Sequence, residues 1–238
     1  MTKAGFSKTQ ILSRKVLNEI GFSHLKSVLP PQNICILREN LHNIFMHIKQ
    51  TKFAETQQGF WQEVPSKEVK TLRLPNVDKV LEENQNFISI AETTTNLVQN
   101  IFDPHLHLRG VHSFFKPAKV GGETPWHQDP AYGDKSIIHD NVTCWIPLQN
   151  ISSASESCLE FVPGSHVNKE LRYHLPLSKE RLSALVANIS DDEALYRVAV
   201  PCKLGDIVVH KSYVVHRGTS NLSDKDRIAI VFIYGKNE

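Results

Sequence analysis

The chain has 238 residues, 40% of them hydrophobic, enough to bury a sizeable core in one domain rather than two small ones. Its 27 basic and 25 acidic side chains leave a net charge of +2, so composition supplies no basic face for nucleic acid or an acidic membrane surface. Four scattered cysteines (Cys35, Cys144, Cys158 and Cys202) lack CxxC spacing, which argues against a zinc ribbon or redox pair and for buried reduced thiols.

In chain order, Met1–Glu19 carries no continuous apolar run of signal-peptide length, and no later stretch reaches that of a membrane-spanning helix; a soluble cytoplasmic protein is the expectation. Ile11, Leu12, Val16 and Ile20 recur at helical spacing after Ser7, a candidate N-cap, and Gly21 stands in the C′ position. Phe22–Leu29 reads as a short strand stopped by Pro30-Pro31. A second helix, from about Pro31 to Gln50, aligns Ile34, Leu37, Leu41, Ile44, Phe45 and Ile48 on one face. Thr51–Asp78 is irregular, broken by Trp61, Pro65 and Pro75: either a loop near the site or covering structure. A third helix is expected over Val80–Phe102, where the Thr93-Thr94-Thr95 run needs tertiary packing to hold it. Beyond Pro104 short β-type runs follow: Leu106–Phe115, Val142–Gln149, Leu159–Val162, Tyr196–Pro201, Asp206–Val209 and Arg227–Tyr234. Helices first and many short strands afterwards predict a mainly β fold, an antiparallel barrel or jelly roll of about residues 104–238 buttressed by N-terminal helices of about 1–103.

The chemistry centres on Thr124-Pro125-Trp126-His127-Gln128-Asp129-Pro130. In an extended strand residues i and i+2 face the same way, so His127 and Asp129 can grip one ion. Imidazole nitrogen and carboxylate oxygen suit divalent iron, and a second histidine would complete a facial triad with open positions. Alone, His-x-Asp is also common among surface polar residues of strands and turns. His216 is the candidate for the remaining ligand: it follows the turn and strand Gly205-Asp206-Ile207-Val208-Val209, and a rolled sheet can return it to His127. Arg227 opens the last apolar strand, where a buried guanidinium needs a partner. That partner is either the far carboxylate of a dicarboxylic acid or an ion pair with Asp224 or Asp226.

Four segments in order carry a resemblance. They are Leu17-Asn18-Glu19-Ile20-Gly21-Phe22; Thr124-Pro125-Trp126-His127-Gln128-Asp129; Cys158-Leu159-Glu160-Phe161-Val162-Pro163-Gly164-Ser165-His166; and Gly205-Asp206 with His216, Asn221, Ser223 and Arg227. Together they resemble the phytanoyl-CoA dioxygenase family of Fe(II)/2-oxoglutarate-dependent oxygenases over most of the chain. Two departures stand out: Ser157 where glycine usually precedes Cys-Leu, and Arg217-Gly218-Thr219 where Ser-Gly-Pro-like residues often follow the distal histidine. The resemblance implies a double-stranded β-helix (jelly-roll, cupin-like) with iron held by His127, Asp129 and His216. Arg227 would pair with the distal carboxylate of 2-oxoglutarate. With O2, the implied reaction hydroxylates a small-molecule substrate and releases succinate and CO2; the carboxylate ligand Asp129 favours hydroxylation over halogenation.

Further residues have two readings each. Trp145 flanks the cosubstrate or is a core tryptophan. Thr124 donates its hydroxyl to the cosubstrate or sits at a strand edge. Lys116 and His112 line the pocket on one strand face, with Phe114 between them, or Lys116 is solvated. Asn221 and Ser223 are read as turn formers and His166 as a structural hydrogen-bonding residue. Arg172, Tyr173, His174 and Arg181 either meet an anionic substrate or face solvent. Two other functions fit the pattern: a catalytically silent metabolite-binding jelly-roll protein, which the intact ligand set argues against, and a cupin-like metalloenzyme that does not use 2-oxoglutarate.

Overall fold

Four of the β-type runs after Pro104, those of Val142–Pro147, Leu159–Phe161, Ile207–Lys211 and Arg227–Lys236, become strands buried on both faces for most of their length, and that double burial sets the architecture. The computed structural model describes residues 8–51, 61–62, 71–133, 141–177 and 185–236. The N-terminal elements are α1 (Lys8–Ile20), β1 (Phe22–Leu25), α2 (Pro31–Thr51), β2 (Trp61–Gln62), β3 (Leu72–Leu74), α3 (Val77–Val80) and α4 (Gln85–Ile101). Then come β4 (Leu106–Lys116), β5 (Thr124–His127), β6 (Val142–Pro147), β7 (Leu159–Phe161), β8 (His174–Pro176) and β9 (Leu185–Ala187). The chain continues through α5 (Asp191–Leu195), β10 (Val198–Val200), β11 (Ile207–Lys211), β12 (His216–Gly218) and β13 (Arg227–Lys236). A seven-stranded sheet has the order β1-β11-β6-β13-β4-β3-β2, and a four-stranded sheet the order β10-β7-β12-β5. The pairings are antiparallel, and the two sheets pack face to face as the jelly roll that the run of short strands predicts.

Period-two alternation divides the side chains between two cores. On the outer face of the larger sheet, Cys144, Ile146, Ile207, Val209, Ile228, Ile230, Phe232 and Tyr234 meet apolar residues of α1, α2 and α4, among them Leu17, Leu37, Phe45 and Phe87. On the inner face, Trp145, Val208, Ala229 and Val231 meet Leu159, Phe161 and Val200 of the smaller sheet. At roughly 1.5–3 kcal/mol per buried large apolar side chain, the outer contact is what holds the helices as buttresses.

Two boundaries differ from expectation. The first strand ends at Leu25, not Leu29, because Ser27 adopts φ 53° and gives its N–H to Asp206. Val28 and Leu29 then donate to the carbonyl of Gly205 rather than to a ladder. The helix expected from Val80 breaks: α3 closes at Val80, and Asn84 caps α4 by accepting the N–H of Phe87. Its threonine run is held by tertiary contact, with Thr94 buried and Thr95 Oγ1 3.2 Å from the hydroxyl of Tyr234. Gly21 does cap α1, at φ 90° with its N–H on Leu17. Cys35 is exposed, unlike the other three cysteines, and all four are free thiols. Ser7, Arg181 and most of Thr51–Asp78 lie outside the described residues. Among those described, no helix is long and apolar enough to cross a membrane.

Candidate metal centre and adjoining cavity

The smaller sheet solves the problem of bringing residues 127 and 216 together: they are directly opposed partners in the β12–β5 ladder. Side chains opposed across an antiparallel pair share a face, and the two imidazole rings lie 4.2 Å apart. Asp129 follows β5 at the start of a short 3-10 turn, with Gln128 still extended between them, so the i, i+2 relation survives the end of the strand. Asp129 Oδ1 lies 3.8 Å from His127 Nε2 and 3.5 Å from His216 Nε2. Donors on one face of an octahedron at ~2.1 Å from a common metal are roughly 3 Å apart, so small side-chain shifts complete the geometry. Gln128 points the other way, wholly buried. Its side-chain amide donates to the carbonyls of Glu170 and Tyr213 and accepts the N–H of Arg172, which locks the loop behind the pair.

The protonation pattern suits metal binding. His127 Nδ1 donates to the carbonyl of Pro125 at 2.7 Å, and His216 Nδ1 to that of Val214 at 3.0 Å. Each bond fixes the tautomer that leaves Nε2 unprotonated and aimed at Asp129. Burial, reinforced by His216, pushes His127 down to about 3; burial, reinforced by His210, pushes His216 down to about 4. Burial alone would raise Asp129, but His216, His210, His127 and the Thr143 hydroxyl together hold it below its ordinary range. Two neutral imidazoles and one carboxylate form a donor set for a divalent first-row metal.

Two residues absent from the sequence reading complete this cluster from the opposite sheet. Thr143 Oγ1 donates to Asp129 Oδ2 at 3.0 Å, leaving Oδ1 for the metal position. His210, buried, lies with its ring tilted 4.4 Å from the His216 ring and its Nδ1 4.0 Å from Asp129 Oδ2. Thr143 and His210 are paired across β6 and β11. Alternation from Val208 would have aimed His210 inward, but only if the strand is known to run to Lys211.

A cavity of about 370 Å3 opens from the cluster, walled by Phe114, Trp145, Leu159, Val231 and Ile233 and reached by Thr124 and Arg227. Arg227 is 4% exposed, its guanidinium 6.0 Å from the Trp145 ring. Nε and Nη2 both donate to Ser157 Oγ, at 3.0 and 2.7 Å, whereas Nη1 is buried without any partner. The alternative ion pairs are not formed. Asp224 pairs with Lys119, and Asp226 accepts the N–H of Ala118 and faces His42. Burial pushes Arg227 down only to about 10, so it remains a cation, and among the described residues no carboxylate pairs with it.

A second guanidinium, Arg73 of β3, also lines the cavity. Its Nη2 donates to His112 Nε2 at 3.1 Å, while Arg73 Nε and His112 Nδ1 have no partner. Burial, then the nearby Arg73 charge, pushes His112 down to about 4.

Lys116 stands apart from the other expected cosubstrate contacts. It is wholly buried behind Gly218, where Nζ donates to the carbonyls of Gly218 and Thr219 at 3.0 and 2.9 Å, and it is not among the cavity-lining residues. The solvated alternative fails as well: the strand alternation points Lys116 inward, but the β12 backbone intervenes. Asn221 is buried and ties the carbonyls of Lys116, Pro117 and Lys225 together, with Ser223 donating to its Oδ1. His166 Nε2 bonds to the carbonyl of Asn18, outside the cavity. Of the loop residues considered for an anionic substrate, Arg172 pairs with Glu193, His174 accepts the N–H of Gln128, and Tyr173 is exposed.

His24, Cys202 and Asp206 form another compact group. Asp206 there accepts the N–H groups of Ser27 and Lys203 and contacts His24, and burial first, with Asp206 beside it, pushes the Cys202 thiol up to about 12. With three groups from separate segments meeting on its carboxylate, Asp206 clamps the turns at Ser27 and Lys203 together.

Comparison with known proteins places this geometry in context. The family profile described as "Phytanoyl-CoA dioxygenase (PhyH)" matches residues 17–229. A phytanoyl-CoA dioxygenase domain-containing protein 1 homolog of Dictyostelium discoideum is 29% identical over 135 residues, covering 55% of this chain and 47% of that protein. The Bos taurus phytanoyl-CoA dioxygenase domain-containing protein 1 is 31% identical over 121 residues, 50% of this chain and 41% of that protein. The matched regions are thus less than half the length of these relatives. Among solved structures, EvdO2 from Micromonospora carbonacea var. aurantiaca complexed with 2-oxoglutarate superposes with a TM-score of 0.73 at 20% identity, over 100% of this chain and 94% of that one. The non-heme alpha ketoglutarate dependent epimerase SnoN from nogalamycin biosynthesis superposes at 0.70 with 16% identity, over 96% and 83%. Both likenesses are of fold.

Proposed function

The chain belongs to the phytanoyl-CoA dioxygenase family, and on that premise we propose that it is a non-haem Fe(II)- and 2-oxoglutarate-dependent dioxygenase. It hydroxylates a C–H bond of a small-molecule substrate and releases succinate and CO2. One observation carries this reading. A single cavity holds three converging metal-ligand side chains and a buried guanidinium with an unpartnered nitrogen and, among the described residues, no paired carboxylate. An unpaired buried cation is costly, several kcal/mol even after relaxation, and a bound carboxylate relieves that cost. Arg227 therefore favours a 2-oxoacid with a second carboxylate over a cupin-like metalloenzyme that uses no such cosubstrate.

Bound iron supplies the oxygen-activating redox chemistry there, with 2-oxoglutarate as the source of electrons. His127, Asp129 and His216 would hold the metal, and as three ligands from one side they would leave it accessible to the cosubstrate and O2. The carbonyls of Pro125 and Val214 keep both imidazoles in the ligating tautomer, and Thr143 turns Asp129 so that Oδ1 faces the metal. Arg227 anchors the distal carboxylate beside Trp145. The apolar walls exclude water, which strengthens these charge contacts. The substrate occupies the cavity toward Arg73, His112 and Tyr132.

The test is succinate formation by purified protein given Fe(II), 2-oxoglutarate and O2. Formation that requires iron and disappears on chelation supports the proposal. Tight 2-oxoglutarate binding without succinate would identify a silent binding protein, and absence of metal-dependent binding would overturn the whole reading.

A further inference from the structure

We propose that Ser157 is a positioning residue for Arg227 that selects the guanidinium edge offered to the distal carboxylate of the cosubstrate; this rests on the function proposed above. A guanidinium can meet a carboxylate side-on, through Nε and Nη2, or end-on, through Nη1 and Nη2. Here the side edge is taken: both Nε and Nη2 donate to Ser157 Oγ. The hydroxyl hydrogen is committed as well, donated to the carbonyl of Thr219 at 2.7 Å. The oxygen is thereby turned so that its lone pairs face Arg227. What remains for a ligand is the end edge, the buried unpartnered Nη1 and the second hydrogen of Nη2.

The backbone supports a role for the side chain itself. Ser157 is 0% exposed and adopts φ 65°, the left-handed region that glycine enters freely and other residues enter at a cost of about 1 kcal/mol. A hydroxyl held at this unfavourable torsion, with every bonding direction used, sets the rotation of Arg227 before the cosubstrate arrives. Without it, the side edge loses its acceptor and the guanidinium is free to turn that edge toward other partners, away from the end-on presentation.

Calorimetric titration of Mn(II)-loaded protein under nitrogen tests this. The ligands are 2-oxoglutarate and 2-oxobutyrate, the second lacking the distal carboxylate. Ser157→Gly relieves the backbone strain and Ser157→Ala keeps it; both lose the hydroxyl. Each variant is expected to bind 2-oxoglutarate about tenfold more weakly, the scale of one lost hydrogen bond to a charged group, with 2-oxobutyrate unchanged. The thermal midpoint of Ser157→Gly should not fall relative to Ser157→Ala. Wild-type affinity for 2-oxoglutarate in either variant, or equal weakening of both oxoacids, overturns the role of the hydroxyl while leaving the proposed function intact. Failure of the unaltered protein to prefer 2-oxoglutarate over 2-oxobutyrate removes the function and, with it, this inference.

Discussion

Arg227→Met separates a ligand-binding cation from a structural one, because the two roles predict opposite signs for stability. The substitution removes the charge and keeps most of the side-chain volume. In the ligand-free protein the guanidinium is buried, pairs with no carboxylate among the described residues and leaves Nη1 unpaired. That burial carries a penalty of several kcal/mol. The bonds to Ser157 and the contact with the Trp145 face, the latter worth ~0.5–2 kcal/mol, return part of it. Removing the cation should therefore leave the apoprotein as stable as before or more so. Binding should behave in the opposite way. An end-on carboxylate makes two charge-assisted bonds of ~1.5–3 kcal/mol each, so 2-oxoglutarate affinity should fall by roughly two to four orders of magnitude. Urea denaturation with and without ligand reads both effects. At a free concentration 100 times its Kd, 2-oxoglutarate should stabilise the metal-loaded wild-type protein by ~2.7 kcal/mol and the variant, at that same concentration, by almost nothing. A variant that binds like wild type, or an apoprotein weakened by more than about 3 kcal/mol, the scale of breaking a buried ion pair, refutes the assignment.

Asp129→Ala removes a proposed ligand and should reduce metal affinity by more than the roughly 10–100-fold that follows loss of an outer hydrogen-bond partner; a chelator competition giving wild-type affinity would sink the assignment. Thr143→Val keeps the ligand but frees its carboxylate to turn, and should lower metal affinity by about tenfold in the same assay. His112 is pushed from 6.5 down to about 4 in the folded protein, so the unfolded chain binds the extra proton between those values. Its stabilising contribution is present above pH 6.5 and is lost as pH falls toward about 4; denaturation of the apoprotein should show His112→Phe with the shallower pH dependence across that window. Gly205→Ala places a methyl group 2.6 Å from the carbonyl oxygen of Leu29 at φ 97° and should cost ~1–3 kcal/mol; an unchanged denaturation midpoint would contradict this account of the turn.

Periodicity carried most of the fold. The α2 face from Ile34 to Ile48 is buried as its spacing requires, and the six β-type runs all contain strands. Boundaries were lost where one distant group overrides local preference. Asp206 captures the N–H of Ser27 and ends β1 four residues early, an interaction across 179 positions that no local pattern contains. The short strands β3, β8 and β9 were missed for a related reason: three residues carry too little alternation to register.

The site divides along the same line. His127, Asp129, His216 and Arg227 were legible because each lies in a spaced motif of charged or metal-binding residue types. Thr143, His210, Arg73 and Ser157 were not singled out for the site, since each acts only through a neighbour that the fold supplies. Side-chain chemistry and its spacing thus determined the kind of protein this is: helices on a β roll, with two imidazoles, a carboxylate and a guanidinium as its candidate site groups. The packed sheets alone decided that His127 opposes His216 across a ladder, that Lys116 stays behind the β12 backbone, and that Ser157 occupies one edge of Arg227. Spacing along a chain fixes which face a residue takes, but what lies across that face depends on strands distant in sequence.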